Sequence, residues 1–176
     1  GSVLDLFSYV GAWGIQAAVA GARAVTWVDS GESATDAVTS NAILNGVEDQ
    51  VQTLRGDVLN VVKDLRREGQ TFDTVIIDPP AFIKRRKDST AGTEAYRRLN
   101  GLAMQLVAPG GFLVSASCSY PFPRDKHLET IARVARGNSR HAQVLSEGGG
   151  APDHPVHPAL PEMSYLKTLF LRISDV

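Results

Sequence analysis

The chain has 176 residues and a formal net charge of −1, from 18 Lys and Arg against 19 Asp and Glu; that length suits one globular domain with a sizeable core. A hydrophobic share of 43% and a charged share of 21% exclude a disordered or collagen-like chain, and near neutrality argues against holding nucleic acid by a bulk positive field. Cys118 is the one cysteine, so no internal disulfide forms; no apolar run reaches the roughly 18 residues of a membrane span and no basic leader opens the chain, so a reducing, cytoplasmic setting without membrane contact is expected.

Residues 3–7 already read as an apolar strand, and Gly1 and Ser2 are too short for a leader. The expectation is that N-terminal sequence, including a substrate-binding module, has been trimmed. Further strands are predicted at 24–28, 51–54, 72–77 and 112–116, each an apolar run bounded by turn residues and suited to burial on both faces. Helical stripes lie between them. Val58, Val61, Val62 and Leu65 follow the i, i+3, i+4, i+7 spacing, as do Leu99, Leu102, Ala103 and Leu106, then Leu128, Ile131, Ala132 and Ala135. Gly46, Gly69 and the Pro109-Gly110-Gly111 turn are expected to stop helices, with Ser30, Asp57 and Asp125 as N-caps. Beyond Gly137 two more strands are predicted at 142–145 and 166–173, separated by the Gly/Pro-rich segment 148–161 and therefore paired antiparallel at the sheet edge. The fold class is α/β: a Rossmann-like, doubly wound, mainly parallel seven-stranded sheet with an antiparallel C-terminal edge.

In such folds ligands sit beyond the carboxyl ends of the strands. The first strand runs into Phe7, Ser8, Tyr9, Val10 and Gly11, a glycine-bearing turn that brings backbone N–H groups and a helix start to a ligand. Tyr9 stands where G-x-G-x-x-G has its first glycine, which disfavours NAD. Asp29 ends the second strand 18 residues after Gly11, where a carboxylate accepts both hydroxyls of a ribose. Asp57, followed by Val58, ends the third and suits an adenine amino group beside an apolar wall. Either acid alone reads as a helix cap or its neighbour; acids after successive strands read as a nucleoside site. Asp5, inside the first strand, is expected to orient the glycine turn or to meet a ligand amino group.

The fourth strand leads into Asp78-Pro79-Pro80-Ala81-Phe82 and the fifth into Ser117-Cys118-Ser119-Tyr120. Two prolines stiffen the rim after Asp78, a pattern moderately specific for methyltransferases. A lone cysteine is ordinarily a small buried hydrophobe. Cys118, past the apolar part of its strand and among hydroxyls, is instead expected to be partly exposed and activated.

The L-D-L-F-S-Y-V-G turn, the Asp29-Ser30 strand end, D-P-P-A-F, S-C-S, Asp153-His154-Pro155 and Tyr165-Leu166-Lys167, in this order over almost the whole chain, resemble the catalytic domain of the RlmI-type ribosomal RNA cytosine-C5 methyltransferases, which have the class I fold. The resemblance implies S-adenosylmethionine as methyl donor, S-adenosylhomocysteine as product, and a cytosine of 23S rRNA as target. It also implies an RNA-binding PUA domain ahead of this segment, so residues 1–176 are read as the catalytic domain alone. Cofactor contacts would fall on Asp5, Phe7, Ser8, Tyr9, Gly11, Asp29, Ser30, Asp57, Val58, Asp78 and Pro79. Cys118 would add to C6 of the base while Asp78 holds it around N3 and N4, because C5 is a poor nucleophile until C6 is attacked. Some related enzymes carry a second cysteine in the D-P-P-like motif; here Ala81 follows Pro80 and the base that removes the C5 proton is unassigned.

RNA contact is expected from Pro80, Phe82, Lys84, Arg85, Arg86 and Tyr120, with Ile83, Lys87, Arg97 and Arg98 nearby and Phe122 as another stacking candidate. His154 and His157 with Asp153 lack further well-spaced ligands, so no metal is expected; Asp153 and Lys167 are read as shaping the pocket. Two other readings stand beside the first. One is a class I methyltransferase acting on another base such as guanine, as in relatives with asparagine in place of Cys118; the other is a non-catalytic cofactor-binding or RNA-binding module. Oligomeric state, including a homodimer, is left open.

Overall fold

The computed structural model describes residues 1–176. Strands and helices alternate as β1 (Ser2–Leu6), α1 (Ala12–Val19), β2 (Ala24–Asp29), α2 (Glu32–Leu44), β3 (Val51–Arg55), α3 (Val58–Arg67), β4 (Phe72–Ile77), α4 (Ser89–Met104), β5 (Val107–Ser117), α5 (Arg124–Gly137), β6 (Arg140–Gly148) and β7 (Lys167–Asp175). All seven strands join one sheet in the order β3-β2-β1-β4-β5-β7-β6. The β3-β2-β1-β4-β5 part is parallel, and β7 pairs antiparallel with both β5 and β6. The two terminal strands thus pair antiparallel as expected. β6 is reached from β5 through α5 and lies two places away, and β7 returns into the gap between them, so β6 forms the edge.

Both faces of the central strands are covered, which is why these strands read as unbroken apolar runs. Leu4 and Leu6 of β1 point to one side and pack with Val62, Leu99, Leu113 and Ile131 beneath α3, α4 and α5. Val3 points to the other side, with Val25, Trp27 and Ile76, beneath α1 and α2. Leu4, Leu6 and Trp27 are fully buried, and each such side chain contributes about 1.5–3 kcal/mol. On that second side Asp5 lies opposite Trp27 of β2 and Ile76 of β4. Gly14 lets α1 close on this layer. A Cβ there would stand 1.9 Å from Trp27 Nε1.

Local signals hold for α3, where Asp57 is the N-cap and its side chain accepts from the Asn60 N–H at 3.0 Å, worth about 1 kcal/mol. They fail at two other helix starts. The N-cap of α2 is Gly31, not Ser30, because the Asp29 carboxylate takes the Gly31 N–H at 2.9 Å. The N-cap of α5 is Pro123, which leaves Asp125 in the first turn. Pro109, Gly110 and Gly111 do not separate a helix from a strand; they lie within β5, whose register against β4 shifts between Phe72 and Thr74. Gly110 has φ +77°, and a Cβ on Gly111 would stand 2.7 Å from the Asp73 carbonyl oxygen, so both glycines allow this irregular approach.

Candidate active site

Four loops meet at the carboxyl ends of the parallel strands. After β1, the chain folds back over β2: the N–H groups of Phe7 and Ser8 both donate to the Val28 carbonyl, at 2.9 and 3.2 Å. Phe7 and Tyr9 hold φ of 63° and 49°, and Gly11, the N-cap of α1, holds 85°. Left-handed backbone at two non-glycine residues costs about 1–2 kcal/mol each and marks a turn held in shape by its surroundings. One holding group is Asp29. Its Oδ2 accepts from the Tyr9 N–H at 2.9 Å while its Oδ1 accepts from Gly31, so a single carboxylate ties the β1 turn to the start of α2.

Asp5 supports the same turn from below. It is fully buried, and its Oδ2 accepts from the Gly14 N–H at 3.0 Å. Burial pushes its pKa up to about 7, with the Asp78 charge adding to the rise and the Gly14 bond opposing it. The Trp27 indole lies beside this carboxyl and also opposes the rise, yet Trp27 Nε1 and Asp5 Oδ1 do not complete a well-aligned hydrogen bond. Ser8 Oγ is likewise buried without a partner. Val58 is buried in the large core cluster, Asp57 is exposed at its cap, and Ser30 is exposed.

The D-P-P loop and the S-C-S loop converge. Asp78 Oδ2 accepts from Trp13 Nε1 at 3.0 Å, and the Cys118 thiol donates to the Pro79 carbonyl at 3.7 Å. Pro79 is buried and Pro80 exposed, while Cys118 is partly exposed as expected. The expectation of an activated thiol needs correction. Burial first, and then the Asp78 charge, push the Cys118 thiol above its ordinary pKa, with Lys167 opposing.

The two serines around Cys118 are locked from beneath by Tyr96 of α4. Ser117 Oγ donates to the Tyr96 hydroxyl at 2.9 Å, and that hydroxyl lies 2.9 Å from Ser119 Oγ. Because it accepts from Ser117, the Tyr96 hydroxyl donates to Ser119. Ser119 Oγ also accepts from the Ile83 N–H at 3.1 Å, which stitches the D-P-P loop to the cysteine loop. Tyr96 was missed as a functional residue, although it stands three residues before Leu99 on the buried stripe, where a tyrosine hydroxyl needs a partner. Deeper still, Ser115 Oγ donates to Asn100 Oδ1 at 2.7 Å and therefore accepts from His127 Nε2 at 2.8 Å. Burial lowers the pKa of His127 to about 4, so it is neutral, with Nδ1 bare.

The basic run lies outside this pocket. Lys84, Arg85 and Arg86 line an open groove with Ser89, Tyr120, Pro121 and Pro123. Arg85 is paired with Asp88 and Arg97 with Glu94, whereas Lys84 and Arg86 form no ion pair. Tyr120 is 58% exposed. Phe122 is not free to stack on a base: it is fully buried and stacked on Tyr96 at 4.5 Å. Phe82 is partly buried and packs on the same ring at 4.8 Å. Asp153 bonds to His154 at 3.1 Å in an exposed segment, and no hydrogen bond joins that pair to the pocket. No helix is long and apolar enough to cross a membrane.

The strand order and the acid-braced turn after β1 define a Rossmann-like methyltransferase fold. Solved structures agree. A protein described as a methyltransferase, in complex with SAH, superposes with a TM-score of 0.84 at 25% identity, over 97% of this chain and 44% of that one. The SAM-dependent methyltransferase of Agrobacterium tumefaciens gives 0.69 at 22% identity, over 99% and 56%. Residues 1–100 match the family described as Conserved hypothetical protein 95, and the chain belongs to that family. It is 38% identical to ribosomal RNA large subunit methyltransferase I of Shewanella amazonensis over 98% of its length and 44% of that protein's. It is also 38% identical to the enzyme of the same name from Aeromonas salmonicida, over 97% and 43%. The chain therefore spans less than half the length of these curated relatives.

Proposed function

We propose that this domain transfers a methyl group from S-adenosylmethionine to C5 of a cytosine in large-subunit ribosomal RNA, with Cys118 as covalent nucleophile. The observation that carries this reading is the convergence of Asp78, Pro79 and Cys118, with the thiol at 3.7 Å from the Pro79 carbonyl. The names of the relatives support the rRNA substrate, and the fold supports the donor.

The turn residues fit that donor. Ser8 Oγ is buried without a partner, as a polar atom is where a ligand completes a site. Each oxygen of Asp29 accepts one N–H and keeps a further lone pair for a ribose hydroxyl. Phe7, Tyr9 and Gly11 shape the backbone around it, Ser30 and Pro79 border it, and Asp57 offers an exposed carboxylate at the end of β3. When bound, S-adenosylmethionine supplies an electrophilic methyl group.

The chain's own residues do the rest. Cys118 gives its proton to solvent and its sulfur bonds to C6, and the C5=C6 electron pair shifts toward C4 and on to N3, which takes a proton from water and leaves C5 electron-rich. Asp78, held by Trp13, hydrogen-bonds the base around N3 and N4 and orients it. After methylation water takes the C5 proton, the C5=C6 double bond returns, Cys118 leaves as the thiolate and N3 gives its proton back to water. Lys84, Arg86 and Tyr120 grip flanking RNA from the adjoining groove by charge and stacking; Arg85 first exchanges Asp88 for phosphate.

Cys118→Ala in the intact protein tests the proposal. It is expected to bind cofactor as the wild type does, to make no 5-methylcytosine, and to form no adduct with 5-fluorocytosine RNA. Full cytosine methylation by this variant overturns the reading.

A further inference from the structure

We propose that Lys167 is the positioning cation that favours ionisation of the Cys118 thiol against its burial and the Asp78 charge. The antiparallel register of β5 and β7 sets Lys167 opposite Ser117, the residue before the cysteine. Its Nζ donates to the Ser119 carbonyl at 2.9 Å, on the residue after the cysteine, and to the Tyr165 carbonyl at 2.8 Å. Two of the three ammonium hydrogens are thereby used and one is left.

Lys167 is half-buried and pairs with no carboxylate. Partial burial of an ammonium carries a desolvation cost that an ion pair usually offsets. Here two carbonyls orient the charge without cancelling it. Burial and the Asp78 charge disfavour the thiolate, whereas the backbone N–H of Cys118 itself and then Lys167, the one cation among them, favour it. The effect is mutual, since Cys118 favours the charged form of Lys167 against its own burial. His127, the other titratable group that feels Lys167, is neutral and does not compete.

The spacing is also held. Tyr96 locks Ser117 and Ser119, and Lys167 is bonded to the same Ser119. The backbone on both sides of the thiol and the ammonium are therefore fixed before substrate arrives, which is the condition under which a charge acts without reorganisation. When the thiol ionises, its proton goes to water and the thiolate remains beside the ammonium.

Because Cys118 is the only cysteine, its alkylation by iodoacetamide reads this chemistry directly. Sulfur forms a bond to carbon, iodide leaves, and the rate follows the thiolate fraction. In the intact protein, Lys167→Gln, which keeps amide donors but removes the charge, is expected to move the midpoint of the pH–rate curve upward by about one unit, a roughly tenfold slower reaction at neutral pH. Lys167→Arg is expected to stay near the wild type. Lys167→Met provides a second neutral side chain if the Gln variant does not fold. An unchanged midpoint in a folded neutral variant overturns the proposal. The inference rests on Cys118 as the working nucleophile, but the readout does not need methyl transfer: a shifted midpoint without methylation of any rRNA upholds the Lys167–Cys118 coupling and removes the proposed function instead.

Discussion

The indole Nε1 of Trp13 donates to Asp78 Oδ2 at 3.0 Å, joining the first turn of α1 to the strand end that carries the D-P-P motif. Trp13 also packs edge-on against Phe170 of β7, with ring centroids 6.4 Å apart. One side chain thus braces both the turn after β1 and the proposed base-binding acid.

Trp13→Phe keeps most of the ring packing and removes the bond to Asp78. A hydrogen bond to a charged group is worth about 1.5–3 kcal/mol, discounted here because the contact is only partly buried. Methyl transfer is expected to fall about tenfold, with little change in the urea midpoint. Unchanged turnover in a rate assay with rRNA would show that Asp78 needs no support from Trp13.

Asp29→Ala strips the Tyr9 and Gly31 amides of their acceptor and removes the proposed ribose ligand. Cofactor affinity by calorimetry is expected to weaken about 10-fold to 100-fold, or roughly 1.4–2.7 kcal/mol. Asp29→Asn, which keeps one acceptor oxygen, should fall between the two. Wild-type affinity in the alanine variant would refute the ribose assignment.

Asp5 and His127 pull stability in opposite directions with pH. Asp5 has a pKa of about 7 when folded against an ordinary 3.8. The folded chain therefore holds a proton there that the unfolded chain has lost, and this contribution, complete below 3.8, is lost as pH rises to about 7. His127 falls from 6.5 to about 4, so the unfolded chain binds the extra proton and stability rises over that interval. The differences correspond to about 4 kcal/mol for Asp5 and about 3 kcal/mol for His127. Urea midpoints of Asp5→Asn from pH 4.5 to 7.5 should climb more steeply than those of the wild type, and those of His127→Gln should decline. Parallel curves for all three proteins would show that neither group is perturbed by its burial.

Much of this architecture was legible in the sequence, for local reasons. Strands buried on both faces appear as apolar runs, the α3 stripe has helical period, and the Asp57 cap bonds only three residues ahead. The strand ends also pointed to the rim at which Asp29, Asp78 and Cys118 lie. Pro109-Gly110-Gly111 misled because strong turn residues also serve an irregular strand, and the choice depends on pairing with Phe72, far back in the chain. Phe122 misled in the same way: a ring after a rim motif looks available until Tyr96 is seen stacked on it.

By itself, the sequence determined the α/β alternation, the acid at the end of β2 and the position of a single thiol after β5, because each depends on neighbours within one turn or one strand. Only the tertiary structure decided that β7 lies inside β6, that Trp13 holds Asp78 across 65 residues, and that Lys167 stands by Cys118. Those relations are set by strand register and by burial. The same burial raises the Cys118 pKa and so makes the placement of the Lys167 charge matter.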